Sequence, residues 1–203
     1  MVMKKKKVDK RILQTRQSLS DALTTLLQTK AIETITVIDL VSEAQINRST
    51  FYLHYNSLEN FMTDLEHDHY VHFRKQIVEY FDTDTGWLDH LMDPEKEVTF
   101  TILDYVFQLI EKNTQIQAFM GARLYDSEFL LKVVDDGFES AHKALLASGH
   151  DVDINRFRQI YSFVSMGCVG LIFNWIGSGM KESSQEISNL AHKLVKHSLK
   201  SSY

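Results

Sequence analysis

The sequence predicts an all-α protein, and three observations predict it. Apolar residues recur at steps of three, four and seven along most of the chain, the period of one helix face. Turn formers are scarce: there are eight Gly and one Pro in 203 residues, and no Gly precedes Gly86. Sheet folds need many such turns, so this composition favours helices with short connections. Polar residues suited to N-caps stand where most of the apolar periods begin. At 44% hydrophobic and 24% charged residues, the chain has a globular composition and enough length for a sizeable core.

The elements follow in order. Val8, Ile12, Leu19, Leu23, Leu26 and Leu27 share one face of a helix over 8–29. Thr36 caps a short helix through Ala44, with Asp39 three residues on. After two residues, Asn47 caps a second short helix through Tyr55, with Ile46, Phe51 and Leu53 as its buried side. Ser57 caps a long helix whose apolar face reads Phe61, Leu65, Phe73, Ile77 and Tyr80, with His69 on the same stripe. Residues 82–86 read as a loop. Asp93 and Pro94 then open a helix to about Asn113, Pro being suited to the first helical position. A shorter helix covers 115–124, and Ser127 opens another to Ala147, ended by Ser148 and Gly149. A long helix runs from about Asp153 to Ile176 and stops at Gly177-Ser178-Gly179. Ser183 with Glu186 is a capping box for the last helix, which runs to about Lys200.

Net charge is −5, which taken whole argues against a nucleic-acid partner, but its distribution argues otherwise. Residues 1–60 carry nine Lys/Arg against six Asp/Glu, a balance of +3; the remainder carries 13 against 21, a balance of −8. Seven of the nine bases fall within the first 16 residues, among them Lys4, Lys5, Lys6 and Lys7. Such an arm suits a polyphosphate surface through counterion release, and it equally suits a solvated, frayed terminus.

Several classes are disfavoured. A single cysteine, Cys168, excludes an internal disulfide framework, and its apolar helix disfavours a thiolate nucleophile. Gly-rich phosphate loops and a Gly-x-Ser-x-Gly elbow are absent from the sequence, so no enzyme is expected. The run Glu66 to His72 holds three histidines, but His67 and His69 lie about 200° apart on a helix. His69 and His72 share a face, yet His69 falls on the apolar stripe and reads as a hydrogen-bonded core histidine; neither metal nor cofactor is expected. Residues 159–180 carry no charge and are long enough to span a bilayer. Gln159, Ser162, Ser165 and Asn174 interrupt them, and a helix between a core and a partner subunit is also apolar nearly all round. With no signal-peptide pattern at the start, a cytoplasmic protein outside the membrane is expected.

The informative stretch is 36–55: short helix, tight turn, short helix. This is helix-turn-helix spacing, in which the second helix can enter a major groove. Asn47, Arg48, Ser49 and Thr50 form its polar surface, with Arg48 suited to guanine and Thr50 to a thymine methyl. Tyr52, His54 and Tyr55 cluster at the far end, where side chains more often meet phosphates. A helical hairpin within a core has the same periodicity.

Residues 8–65 resemble the TetR-type bacterial transcriptional regulators. The residues that carry the resemblance are Ile35-Thr36, Ile38-Asp39-Leu40-Val41, Ala44, Ile46, Asn47, Thr50-Phe51-Tyr52, His54-Tyr55, Ser57, Glu59 and Phe61. The family signature runs Thr-apolar-Tyr-x-His/Tyr-Phe through the second helix. Three departures stand out: Gln45 where the turn usually has Gly, Asn47 for a Ser cap, and Leu58 for a phosphate-holding Lys. The resemblance implies a DNA-binding helix-turn-helix domain over 1–57 and a regulatory and dimerisation domain over 58–203. It implies a homodimer reading a pseudo-palindromic operator in double-stranded DNA, as a repressor under an unidentified small-molecule or protein effector. Thr36, Tyr52, His54, Tyr55 and the Lys4–Lys7 arm would hold phosphates. The last two helices would form the dimer bundle, with Gly167, Gly170, Leu171, Asn174, Leu190 and Leu194 at the contact and Trp175 as its anchor. The run 165–176 also resembles the C-terminal domain type that includes regulators of dihydroxyacetone kinase operons. Phe100, Tyr105, Phe107, Phe119, Met120, Phe138, Phe163 and Met166 are the candidate effector-lining residues, at spacings that core packing produces equally. The alternative is a helical co-regulator that has kept the fold and lost DNA binding, which Gln45 and Leu58 favour.

Overall fold

The computed structural model describes residues 10–83, 101–122, 127–149 and 153–200. They form nine α-helices and one 3₁₀ turn, with no strand among the described residues. The chain folds as two compact units, 1–65 and 66–203.

The first unit contains α1 (Lys10–Leu27), a 3₁₀ turn (Ile32–Thr34), α2 (Val37–Glu43), α3 (Arg48–His54) and the start of α4 (Leu58–Thr83). α1 buries Leu19, Ala22, Leu23 and Leu26, the three- and four-residue steps of one helix face. α2 opens with a complete capping box. Asp39 N–H donates to Thr36 Oγ1 at 3.2 Å, and Thr36 N–H donates to the Asp39 carboxylate at 3.0 Å. Lys30 joins it at 2.6 Å. With the bond from Lys30 as the larger cause and those from Thr36 next, the Asp39 carboxyl falls to about 2.

α2 ends as the missing Gly foretold, with Gln45 at φ 54°. Gln45 N–H donates to Ser42 O at 3.2 Å and Ile46 N–H to Val41 O at 3.0 Å, a Schellman ending with a residue other than glycine in the left-handed position. Asn47 precedes α3 but its side chain makes no capping bond there, so the expected cap is corrected; the backbone bond Thr50 N–H to Asn47 O, 2.9 Å, closes the first turn. Ser57 does cap α4, its Oγ accepting from Asn60 N–H at 3.0 Å. Leu53 is 81% exposed, contrary to expectation. Phe51 takes the buried stripe of this two-turn helix, and Leu53 lies about 200° around from it. The compact unit extends to 65, beyond the 57 that the resemblance implied, and Phe61 belongs to it, its ring 5.0 Å from Tyr55 and 6.3 Å from Phe51.

The second unit holds the rest of α4 and α5 (Thr101–Lys112), α6 (Thr114–Gly121), α7 (Ser127–Ala147), α8 (Ile154–Gly177) and α9 (Ser184–Lys200). Asn113 caps α6 by accepting from Gln115 and Ile116 N–H, both at 3.1 Å, and Asp153 caps α8. The Ser183–Glu186 capping box opens α9 as expected. α8 lies central, packed by α6, α7 and α9, while α5 packs against α6 and α9. Glu111 ties the end of α5 to the start of α9, accepting from Ser184 N–H at 2.9 Å and Oγ–H at 2.7 Å; these bonds lower its pKa. By length and composition α8 is the one described helix apolar enough to cross a membrane, yet it sends Phe157, Ile172 and Trp175 into this unit's core.

Candidate nucleic-acid interface and C-terminal cavity

Asn47, Arg48, Ser49 and Tyr52 are exposed along α3, with Thr50 and His54 half-buried beside them. Arg48 Nη2–H donates to the Tyr52 hydroxyl at 3.2 Å, and its guanidinium carbon lies 5.4 Å from the Tyr52 ring centroid. One full turn of helix therefore carries a cation laid on a ring, beside small hydrogen-bonding side chains. That surface can meet phosphates and base edges alike.

Two residues expected at this surface are placed otherwise. Tyr55 is 5% exposed. Its ring packs between Phe51 and Phe61, and its hydroxyl donates to Asp64 Oδ2 at 3.0 Å. Burial first, then that bond, pushes the phenol up to about 12. Arg16 Nη2 reaches the same carboxylate oxygen at 2.6 Å. Thr36 is exposed, but its hydroxyl is engaged with the Asp39 carboxylate at 2.6 Å, which takes the bond a phosphate would have used. Lys4–Lys7 lie outside the described residues.

The second unit holds a partly open cavity of about 250 Å³ between α4, α5, α7 and α8, with single contributions from α6 and α9. Phe73, Ile77, Leu103, Phe107, Val164 and Ile172 are among its walls, and no charged side chain lines it among the described residues. The described residues with polar side-chain groups in the lining are Tyr80, Tyr161, Ser165 and Cys168. Burial raises the Tyr161 phenol far above its ordinary range and pushes the Cys168 thiol up to about 11, so both stay neutral. Gly137 makes room for this wall: a Cβ there would run into the Tyr161 hydroxyl and lie 3.1 Å from Ile77 Cγ2.

Of the expected lining residues, the cavity contains Phe107 and Met120. Phe138 is core, its ring 5.6 Å from Phe157 and 5.7 Å from His142. Phe119 is buried against the His69 ring at 5.1 Å, where His69 also meets Gln115 at 3.4 Å. Burial lowers the His69 pKa, in keeping with a core histidine. Tyr105 stands at the surface, and Phe163 (70% exposed) and Met166 lie on the outward face of α8. Phe100 lies outside the described residues. Helical spacing identified apolar positions; it could not tell cavity wall, solid core and outer face apart. The α4 residues Phe73, Ile77, Tyr80 and Phe81 were missed as lining, although their stripe was visible.

The outward face of α8 carries Phe163, Met166, Gly167, Gly170 and Asn174, and α9 exposes Leu190 and Leu194. Beyond their own helix backbone and chain neighbours, no described residue lies within 4 Å of where a Cβ on Gly167 or Gly170 would stand. Leu171 is half-buried. Trp175 is corrected: it is 2% exposed, its indole N–H donates to Glu182 O at 2.9 Å, and it meets Phe107 edge-on at 5.6 Å. A side chain satisfied inside its own unit cannot anchor a partner.

Residues 97–197 match a TetR family model described as a transcriptional regulator C-terminal region. The fold is similar to that of the fatty acid degradation regulator FadR from Bacillus halodurans, with a TM-score of 0.71 and 15% identity over 95% of this chain and 97% of that one. It is also similar to FadR from Bacillus subtilis, solved in complex with stearoyl-CoA, with a TM-score of 0.64 and 13% identity over 91% and 97%. A third structure, the dihydroxyacetone kinase operon activator DhaS, gives 0.59 and 17% over 92% and 96%. No curated protein matches the chain in sequence. A helix-turn-helix unit followed by an all-helical regulator C-terminal region defines a class, the helical transcriptional regulators. Within it, the chain belongs to the TetR type.

Proposed function

We propose that the protein is a cytoplasmic, homodimeric repressor that binds a pseudo-palindromic DNA site through α3 and is released by an effector with a neutral, largely aliphatic part. The observation that carries the DNA reading is the α3 surface, where Asn47, Arg48, Ser49 and Tyr52 are turned outward while Phe51 and Tyr55 are turned in. Arg48 reads a base, with Ser49 and Thr50 beside it. Tyr52, His54 and the Lys4–Lys7 arm hold phosphates. The exposed α8–α9 face of Phe163, Gly167, Gly170, Asn174, Leu190 and Leu194 supports a dimer contact, since small residues let helices approach closely. Two recognition helices then sit about one helical turn apart, roughly 34–36 Å.

The cavity supports the effector class. An ionised group held against this lining would lose hydration with no cation among the described walls to replace it, so the part of the ligand held there is neutral. The stearoyl-CoA complex of the Bacillus subtilis relative supports a long aliphatic chain as that part. An effector acts only if it prefers one spacing of the recognition helices.

The test is a gel-shift with the DNA upstream of the protein's own gene. Arg48→Ala should weaken operator binding by about 1–3 kcal/mol and relax sequence preference. Replacing Lys4–Lys7 should weaken binding to every duplex and shallow the salt slope. Sequence preference unchanged in Arg48→Ala would remove Arg48 from base reading. Medium- to long-chain alcohols and acyl thioesters should release the DNA, and Val164→Phe, which fills the cavity, should abolish release while leaving binding intact.

A further inference from the structure

The N-terminal unit holds a polar junction at the C-terminal end of α3. For Tyr55, packing alone would be served by Phe: the ring already lies 5.6 Å from Phe51 and 5.0 Å from Phe61. The hydroxyl adds one thing, a bond to Asp64 Oδ2 at 3.0 Å. The same oxygen accepts Arg16 Nη2–H at 2.6 Å. Arg16 belongs to α1, Asp64 to α4, and Tyr55 is the residue that terminates α3. One carboxylate oxygen thus joins three helices at the C-terminal end of the recognition helix.

A helix of seven residues does not hold its own geometry; its neighbours do. The N-terminal end of α3 is set by the turn at Gln45 and its middle by the buried Phe51. The far end is set by Tyr55. Ring packing fixes depth but leaves sliding and tilt soft, whereas two charge-assisted bonds to one oxygen fix direction. We infer that Asp64 is a positioning residue, which through Tyr55 and Arg16 sets the angle at which α3 presents Arg48, Ser49 and Thr50. The inference rests on the DNA-reading assignment for its consequence, but the geometry can be tested without DNA.

The experiment uses the full chain and two variants, Tyr55→Phe and Asp64→Asn. Three quantities are read: amide hydrogen exchange of residues 51–56, the ratio of operator to non-specific duplex affinity, and the thermal midpoint. Tyr55→Phe keeps the ring packing, so the midpoint should fall by no more than the worth of one hydrogen bond. Exchange should speed up and the affinity ratio should fall, each by about three- to tenfold, the range of one lost hydrogen bond. Asp64→Asn should do more, because it weakens both bonds. A lowered midpoint with unchanged exchange and an unchanged affinity ratio would make the junction a simple stabiliser and overturn the inference. Unchanged values throughout would overturn it as well. If the parent chain bound no duplex, the DNA reading would fail, and exchange alone would still decide whether Asp64 positions α3.

Discussion

The two units bury their apolar residues in different ways. In residues 10–65, Leu19, Leu23, Leu40, Phe51 and Phe61 are wholly excluded from solvent, and the rings of Phe51, Tyr55 and Phe61 pack on one another. In residues 66–203, large side chains such as Phe107 and Ile110 are as deeply buried, yet they stand around a cavity of about 250 Å³. A filled interior gives one shape, because every methylene is constrained by its neighbours. An interior with a gap loses contacts along its walls and can change shape when something fills it. The first suits a surface that must match a rigid partner, and the second suits a unit that responds.

This contrast can be broken by substitution. The largest effect is expected at Phe51: Phe51→Ala should destabilise the N-terminal unit by about 3–5 kcal/mol. Both tryptophans, Trp87 and Trp175, belong to the second unit. Tryptophan fluorescence should therefore report an intact second unit while circular dichroism reports helix loss, and loss of both signals in one step would deny the units their independence. Next comes Gly137→Ala, which drives a methyl into Tyr161 and should lower the second unit's stability by about 1–3 kcal/mol. A neutral result in chemical denaturation would mean that the wall yields into the cavity. Gln45→Gly should raise the first unit's stability by about 0.5–1 kcal/mol, since Gly adopts φ > 0 without strain.

The smallest effect concerns acid. The folded-state pKa of Asp39 is depressed from 3.8 to about 2. Its contribution is present above about pH 4 and is lost as pH falls from there towards 2. An acid titration should unfold the N-terminal unit more gradually in Asp39→Asn than in the parent chain. Equal profiles would remove Lys30 and Thr36 from the account.

Helix order, both capping boxes and the strained turn were legible because each depends on residues within four positions of one another. Gln45 is the clearest case: the family resemblance puts it where the turn usually has Gly, a position of positive φ, and the φ is 54°. The α3 surface was legible for Arg48, Ser49 and Tyr52. It was misread at Tyr55, which is buried with its hydroxyl on Asp64; Thr36, at the start of α2, is exposed with its hydroxyl on Asp39. Asp64 lies nine residues from Tyr55 and 48 from Arg16, a separation that no local pattern encodes. The cavity was the least legible. Phe107 lines it, Phe138 packs solidly and Phe163 faces out, yet all three are aromatic residues at helical positions.

Arg48 has one more consequence. Its guanidinium already rests on Tyr52, four residues further along the helix. A free arginine side chain carries roughly 2 kcal/mol of rotamer entropy that any contact must remove. Here folding has removed part of it in advance. On the proposed reading, in which Arg48 contacts a base, the side chain is preset, so selectivity at this position should show itself more in how long a complex lasts than in how quickly it forms.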